Sequence, residues 1–216
     1  MKILTVDDHA LVRQGLRQVL KGLDEQIEVF DAANCSEAFE VTRAHPDLDL
    51  VLLDYHLPDM DGLAALQVFS RNHPELPIIV LSGASNPTIM RQVLVHGAAG
   101  FVTKSGLADE LLQALRLVLA GGVYLPPELR NAPAHEPPTP PLPENLPAPQ
   151  FAPRQQQVLQ LLLNGDTNKD ISRALQMSEE TVKNHVSAIL RGFGVQTRTQ
   201  AVLAANRYGY KAQTDL

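Results

Sequence analysis

The segment Lys2-Ile3-Leu4-Thr5-Val6-Asp7-Asp8 decides the fold, since it joins a short apolar run to two acidic residues. The same design returns three times, at runs that lead into Asp54, Ser82 and Lys104. Continuous apolar runs of this length are typical of strands buried on both faces of a parallel sheet. Because ligands bind where the carboxyl ends of such strands meet, we expect these polar residues to lie together at one sheet edge.

Strand and helix patterns alternate across the first 120 residues. We predict strands near residues 2–6, 27–31, 50–53, 77–81 and 100–103 and helices near 9–21, 35–44, 61–72, 86–96 and 107–120. Five strand–helix units imply a parallel sheet covered by helices on both faces. The sequence therefore predicts an α/β domain of the (βα)5, flavodoxin-like type over residues 1–125.

A proline-rich segment separates this domain from the rest of the chain. Residues 126–153 hold 11 of the 16 prolines and show no apolar periodicity. We interpret residues 126–150 as an extended linker, of which twenty residues would reach about 60 Å in a polyproline-II conformation. Its role as a spacer is favoured over a role as a ligand for a proline-binding module.

Charge and cysteine content limit the classes of protein. The net charge is −7 over residues 1–130 and +3 over residues 151–216, which weakly favours nucleic acid as a partner of the second part. Cys35 is the single cysteine, so no intramolecular disulfide can form and a reduced, cytoplasmic setting is expected. No signal peptide is visible, and no run approaches the ~18 apolar residues of a membrane span, so we expect no membrane partner.

The predicted strand-end cluster has the chemistry of a divalent-metal and phosphoryl site. Carboxylates crowded together need a cation, and oxygen ligands suit Mg²⁺. Asp8 and Asp54 are the expected direct ligands, and Asp7 acts through water. Asp54 ends the central strand and is the expected nucleophile toward a phosphoryl group. The hydroxyl of Ser82 and the ammonium of Lys104 would contact the phosphoryl oxygens.

Each of these residues also has an ordinary interpretation. Asp8 or Asp54 alone would suit a helix or turn cap, Ser82 a turn, and Lys104 a solvated surface. Their occurrence together at four separate strand ends, in this order, favours the functional interpretation.

Four motifs resemble the receiver domain of response regulators over residues 1 to about 125. They are Val6-Asp7-Asp8-His9, Leu53-Asp54-Tyr-His-Leu-Pro58-Asp-Met-Asp61-Gly62, Leu81-Ser82-Gly83 and Phe101-Val-Thr-Lys104. The resemblance implies that Asp54 accepts a phosphoryl group from a sensor histidine kinase. It implies Asp7, Asp8 and the carbonyl of His56 as metal-binding groups. It also implies that Ser82 and Phe101 form a switch pair.

Residues 153–210 show helical patterns only, which predicts an all-α domain over residues 151–216. Ser178 is the expected cap of its third helix, which Gly192 and Gly194 would end. A short helix, a tight turn and then this amphipathic helix form a helix-turn-helix pattern, whose second helix enters the major groove of DNA. The face predicted to point outward carries Lys183, Asn184, Ser187 and Arg191, with His185 at its flank.

This segment is similar to the LuxR-type helix-turn-helix of NarL/FixJ response regulators over about residues 151–208. The similarity rests on residues 167–172 and 178–186. It implies a DNA-binding set of Lys183, Asn184, His185, Ser187, Thr181 and Lys169. The chain departs from the family pattern at Phe151, which stands where Leu is common, and at Gly192-Phe193, which replaces a common Lys-Leu.

The sequence thus predicts a two-component transcription factor rather than an enzyme, apart from the receiver's own phosphoryl transfer and slow dephosphorylation. The expected partners are a sensor histidine kinase, promoter DNA, a second copy of the chain in the active state, and RNA polymerase. Two other classes stay open here. The second domain could bind a protein in place of DNA, or the first could be a hydrolase of acyl phosphates, although no substrate-pocket motif supports the hydrolase.

Overall fold

A computed structural model describes residues 1–119, 122–130 and 149–210. The predicted parallel sheet is present, with five strands in the order β2-β1-β3-β4-β5. The strands are β1 (Lys2–Val6), β2 (Glu28–Ala32), β3 (Leu50–Asp54), β4 (Ile78–Ser82) and β5 (Gly100–Thr103). β3 lies at the centre and every residue in it is buried, as its unbroken apolar run predicts.

Helices cover both faces of the sheet. The helices are α1 (Ala10–Leu23), α2 (Cys35–Ala44), α3 (Gly62–Asn72), α4 (Pro87–Val95), α5 (Leu107–Leu119) and the short α6 (Pro127–Arg130). One core joins the sheet to α1 and α5, through side chains such as Leu16 and Leu115. The other joins it to α2, α3 and α4, through side chains such as Phe69 and Met90. The (βα)5 flavodoxin-like prediction is confirmed.

Four helices form the second part: α7 (Pro153–Leu163), α8 (Asn168–Leu175), α9 (Glu179–Phe193) and α10 (Arg198–Arg207). Side chains of all four meet in one apolar core that includes Val158, Ile171 and Val186. Ser178 caps α9, as predicted, by accepting a hydrogen bond from the Thr181 amide at 3.1 Å. The prediction of an all-α helix-turn-helix domain is confirmed.

The predicted end of α9 was wrong by one glycine. Gly194 ends the helix in the left-handed region at φ 68°, but Gly192 lies inside it. A Cβ atom on Gly192 would come within 2.5 Å of the Phe151 ring. Phe151 packs in turn against Phe193, with 5.0 Å between ring centroids. Phe151 and the Gly192-Phe193 pair, which both depart from the family pattern, therefore pack against each other. Gly192 lets the Phe151 ring approach the helix backbone and does not end the helix.

The two parts of the chain contact each other directly. The Arg198 amide donates to the Pro74 carbonyl at 2.8 Å, and the Gln200 side-chain amide donates to the Val95 carbonyl at 3.0 Å. Arg198 is partly buried, and its guanidinium donates to the Asp166 carbonyl. Burial lowers the pKa of its guanidinium to about 10, so the group stays charged at neutral pH.

The predicted linker, residues 126–150, lies largely outside the described residues, which resume at Pro149. Among the helices that the structure describes, none is long and apolar enough to span a membrane.

Candidate functional site

Asp7, Asp54 and Lys104 meet at the carboxyl edge of the sheet, where parallel strands were expected to bring them together. Asp7 directly follows β1, Asp54 ends β3 and Lys104 directly follows β5. The Lys104 ammonium lies 2.6 Å from Asp7 Oδ2 and 2.8 Å from Asp54 Oδ2. Both carboxylates are buried, with relative exposures of 0 % and 1 %. One cation thus bridges two buried anions.

The charges of this cluster are incompletely balanced. Burial raises the pKa of Asp54, and the neighbouring charge of Asp7 adds to that rise, while Lys104 opposes it. Burial alone would lower the pKa of Lys104, but its contacts with Asp54 and Asp7 outweigh burial and raise it. The cluster therefore holds its lysine charged and leaves Asp54 short of positive partners. Such an arrangement favours the arrival of a further cation.

The donor atoms suit a divalent metal ion. Ligand atoms of Asp7, Asp8, His9 and Asp54 all lie within 4.8 Å of one another. Within the described part of the chain, Asp7 Oδ2 and Asp54 Oδ2 are buried and have no polar partner other than the Lys104 ammonium. Asp7 and Asp54 are buried and Asp8 is exposed, and carboxylate oxygens are the ligands that Mg²⁺ prefers. The residues present fit that ion.

The predicted switch residues lie on the two strands beyond Asp54. Ser82 ends β4 and is buried, and its hydroxyl donates to the Ala84 carbonyl at 3.3 Å. Phe101 lies on β5, opposite Val80, with its side chain wholly buried. Gly83 after Ser82 is exposed and places no side chain over the site. The Ser82 hydroxyl also accepts from the Ala84 amide at 3.2 Å, so it would have to leave Ala84 to donate to an anion on Asp54.

The loop after Asp54 is held closed at both ends. Its last residue, Gly62, donates to the Tyr55 carbonyl at 3.0 Å, and a Cβ at position 62 would overlap the Tyr55 backbone. Asp59 accepts hydrogen bonds from the amides of Cys35 and Ser36, at 3.0 and 3.1 Å, and so ties the loop to the start of α2. These contacts fix the backbone at His56, whose carbonyl the resemblance assigns to the metal.

Sequence reasoning missed two residues near this site. His9 was quoted only as part of a motif, yet its ring contacts both Asp7 and Asp8. Asp59 was passed over because its partners lie 23 and 24 positions away in the chain, and no local pattern reports such a contact.

The predicted DNA-reading helix, α9, faces the first domain in this structure. The Lys183 ammonium donates to the Pro46 carbonyl at 2.7 Å. Asn184 and Thr181 are exposed, while His185 and Ser187 are partly buried. Lys169 is exposed on α8, and it lines, with Lys183, a cavity of about 200 Å³ between the domains. Within the predicted set, Lys183 contacts the first domain, while Thr181, Asn184 and Lys169 are exposed.

Comparison with known proteins agrees with both halves of the chain. A family model described as the response regulator receiver domain matches residues 3–116. A second, described as bacterial regulatory proteins of the luxR family, matches residues 149–205. The glycerol metabolism activator of Pseudomonas putida is 36% identical over 220 residues, covering 98% of this chain and 97% of that protein. Transcriptional regulatory protein DegU of Brevibacillus brevis is 32% identical, covering 97% and 94%.

Solved structures show the same architecture. The isolated REC domain of RcsB from Salmonella enterica serovar Typhimurium, determined with the phosphomimetic BeF₃⁻, is 28% identical. It covers 60% of this chain and 96% of that one, at a TM-score of 0.55. A structure of two RcsB dimers bound to two parallel DNAs covers 99% of both chains at a TM-score of 0.55, but at 24% identity it supports the fold alone.

A receiver domain joined to a helix-turn-helix domain defines a response regulator with a DNA-binding output. This chain belongs to the NarL/FixJ family, the response regulators that carry a LuxR-type DNA-binding domain. The two relatives described above are transcription regulators.

Proposed function

We propose that a sensor histidine kinase phosphorylates Asp54 and that this modification controls the binding of α9 to promoter DNA. The observation that carries the proposal is the cluster at the sheet edge, where Asp54 lies 2.8 Å from Lys104 and beside a second buried carboxylate. The proposed units are a receiver at residues 1–125, a linker at 126–150 and a DNA-binding domain at 151–216, acting in the cytoplasm.

The chain's own residues supply most of the phosphoryl chemistry. A carboxylate oxygen of Asp54 attacks phosphorus, the bond to the kinase histidine nitrogen breaks, and that nitrogen keeps the electron pair. Lys104, whose ammonium lies 2.8 Å from Asp54 Oδ2, and the hydroxyl of Ser82, at the end of the neighbouring strand β4, would contact the phosphoryl oxygens. Mg²⁺, held by Asp8, Asp54 and the His56 carbonyl, with Asp7 acting through water, would neutralise charge on those oxygens. The same groups would support the slow loss of the phosphoryl group to water.

Control of DNA binding follows from what Lys183 contacts. In this structure the Lys183 ammonium donates a hydrogen bond to the Pro46 carbonyl of the receiver. A helix that reads the major groove must present its polar face to DNA, so the receiver and α9 have to separate first. We propose that phosphorylation favours the separated state, in which Ser82 and Phe101 report the new charge.

The test of the phosphorylation step compares two aspartates of one loop. Asp54→Asn should abolish Mg²⁺-dependent labelling of the full chain by acetyl phosphate. Asp61→Asn is the matched control, because Asp61 caps α3 and lies outside the acidic cluster. Intact-mass measurements report the added phosphoryl group. Equal labelling of Asp54→Asn and the unaltered chain would refute the assignment.

The test of the output step uses Lys183→Ala. If Lys183 contacts phosphate, its loss should weaken binding equally on specific and random DNA and reduce the salt slope by about one. If it reads guanine, the loss should fall on the specific site, at roughly 1–3 kcal/mol. Unchanged titrations on both DNAs would remove α9 as the reader and favour a protein partner for this domain.

The active state is proposed to be a homodimer, since two half-sites need two reading helices about 34 Å apart. A proline-rich tether allows that spacing while the receivers pair. Sedimentation of the full chain before and after phosphorylation, with and without DNA, reports the mass; a monomer under all four conditions would contradict the dimer. Contact with RNA polymerase is a further proposal from the same assignment.

A further inference from the structure

The cavity of about 200 Å³ between the two domains lies at the edge of the sheet opposite the acidic cluster. Lys2 begins β1, Asp49 directly precedes β3 and Pro77 directly precedes β4, and all three line the cavity. Because both domains supply its walls, the cavity exists only while the domains are in contact. Its volume suits a ligand smaller than the drug-sized molecules that fill pockets of about 300–1,000 Å³.

The wall that the helical domain supplies is positively charged. Among the described residues, Lys169, Lys183 and Arg198 line it, against the one carboxylate of Glu179. The Lys183 ammonium donates to the neutral Pro46 carbonyl at 2.7 Å, and the Arg198 guanidinium donates to a backbone carbonyl. Within the described part of the chain, none of the three cations forms an ion pair with a carboxylate. Surplus positive charge therefore lines this side of the cavity.

The wall that the receiver supplies is negatively charged. Four carboxylates line it, against Lys2 and the amino group of Met1. They are those of Glu28, Asp47, Asp49 and Glu75. The Lys2 ammonium lies 2.8 Å from Asp47 and 3.9 Å from Glu28, so it offsets only part of this charge.

The helix dipoles have the same orientation as these side-chain charges. α8, α9 and α10 begin at Asn168, Glu179 and Arg198, which line the cavity, so their positive ends lie at the helical wall. α2 and α3 end directly before His45 and His73, which line the receiver wall, so their negative ends lie there. Side chains and helix ends thus make one wall positive and the other negative.

We infer that this cavity binds a small zwitterion of the amino-acid class. The carboxylate of the ligand contacts Lys169, Lys183 and Arg198, and its ammonium contacts the carboxylates of the receiver wall, because charge-assisted hydrogen bonds are the strongest available to each end. A ligand that contacts both domains stabilises the arrangement in which they touch. The inference goes beyond the proposed function and does not depend on Asp54.

Calorimetry on the unphosphorylated full chain tests the class of ligand. The zwitterions alanine, β-alanine and γ-aminobutyrate differ in the distance between their charges, whereas propionate and ethylammonium each carry only one of the two charges. The best zwitterion should bind at least about tenfold more tightly than either singly charged ion, as expected for one further charge-assisted hydrogen bond. Propionate that binds as tightly as the best zwitterion, or a failure of all three zwitterions to bind, would overturn the inference.

Two pairs of variants test the groups that hold the ligand. Lys169→Gln should weaken binding of the best zwitterion about tenfold, whereas Lys21→Gln, on the exposed surface of α1, should leave it unchanged. Glu179→Gln removes the opposing carboxylate of the helical wall and should tighten binding. Glu180→Gln is its control, because Glu180 is exposed and does not line the cavity. Equal effects of each variant and its control would assign binding to the overall charge and contradict the site.

Gln200→Glu tests whether the ligand needs both domains. The Gln200 side-chain amide donates to the Val95 carbonyl across the domain contact, and its Oε1 accepts from the Thr197 amide at the start of α10. Glutamate keeps the acceptor and loses the donor, so the domain contact is weakened while α10 keeps its cap. Because Gln200 does not line the cavity, zwitterion binding should fall at least about tenfold only through the loss of that contact. Unchanged binding would show that one domain alone holds the ligand, and the inference would be wrong.

Discussion

Asp54 shows how a single residue can be placed for chemistry at the expense of stability. Its carboxylate is buried beside Asp7, and burial followed by that neighbouring charge raises its pKa despite the contact with Lys104. A carboxyl group whose pKa is raised in the native state binds protons better folded than unfolded. Stability from this group is therefore greatest at low pH and falls as pH rises through the native pKa.

This sign gives a prediction for the unfolding free energy in the absence of divalent metal. Asp54→Asn should unfold at higher urea concentration than the unaltered chain at neutral pH, because it removes an ionised group that the fold disfavours. The gain should shrink as the pH is lowered toward about 4, where the unfolded-state carboxyl is itself protonated. Urea titrations at several pH values measure it. A variant that is less stable than the parent at neutral pH would show that the Lys104 contact outweighs burial.

At the scale of elements, α9 and the start of α7 depend on each other through one aromatic ring. Gly192 leaves the space that Phe151 fills, so a Cβ at position 192 would lie 2.5 Å from the ring. The ring in turn contacts Phe193 and Tyr210, which close the same end of the domain. The first turn of α7 keeps half of the usual capping arrangement, since Gln155 accepts from the Ala152 amide at 2.9 Å.

This dependence predicts that two substitutions will not be additive. Gly192→Ala alone should destabilise the domain. The added Cβ overpacks against Phe151 at a cost of about 1–3 kcal/mol, which outweighs the gain in helix propensity from Gly to Ala. In a Phe151→Leu background the same change should stabilise by up to about 1 kcal/mol. Gly15→Ala, in α1 with no atom within 4 Å of the added Cβ, is the control that gains in either background. Urea titrations of the double-mutant cycle measure the coupling energy between positions 151 and 192. A coupling energy near zero would show that the two positions act independently.

At the scale of the whole molecule, His73 lies at the domain interface near Lys183 and Arg198 of the second domain. Burial lowers the pKa of His73, the nearby charge of Glu75 opposes this, and Lys183 from the other domain adds to the lowering. Arg198, bound to the neighbouring Pro74 carbonyl, lines the same cavity, together with Lys2, His45, Asp47 and Asp49. Protonation of His73 therefore adds positive charge beside two basic residues of the DNA-binding domain.

The sign of this shift predicts that acid favours separated domains. Because Lys183 of the other domain contributes to the lowering of the His73 pKa, the contacting state is most stable above about pH 6.5, where His73 is neutral, and becomes less stable as the pH falls and His73 is protonated. Small-angle scattering of the unphosphorylated chain should show a larger radius of gyration at about pH 6 than at about pH 8. His73→Gln should remove the difference. An equal change in both proteins would assign it to other groups.

Much of this molecule was readable from local patterns. Apolar runs of three or four residues place β1, β3, β4 and β5, and helical spacing places the helices. The meeting of the carboxyl ends of those strands follows from the rule that parallel strands share one carboxyl edge. These features depend on neighbours in sequence or on one topological rule, so Asp7, Asp54, Ser82 and Lys104 could be assigned to one site before any contact was known.

Tertiary structure alone decided the contacts between distant segments. Four contacts have no local sequence signature. They are the ion pairs of His9 with Asp7 and Asp8, the hydrogen bonds from α2 to Asp59, the packing of Phe151 against Gly192, and the hydrogen bond from Lys183 to the Pro46 carbonyl. Each depends on side-chain direction and on how packed elements meet, which sequence spacing does not encode. For that reason the sequence determined the two domains and their chemistry, while only the folded chain revealed the imidazole of His9 beside two carboxylates and the contact of α9 with the first domain.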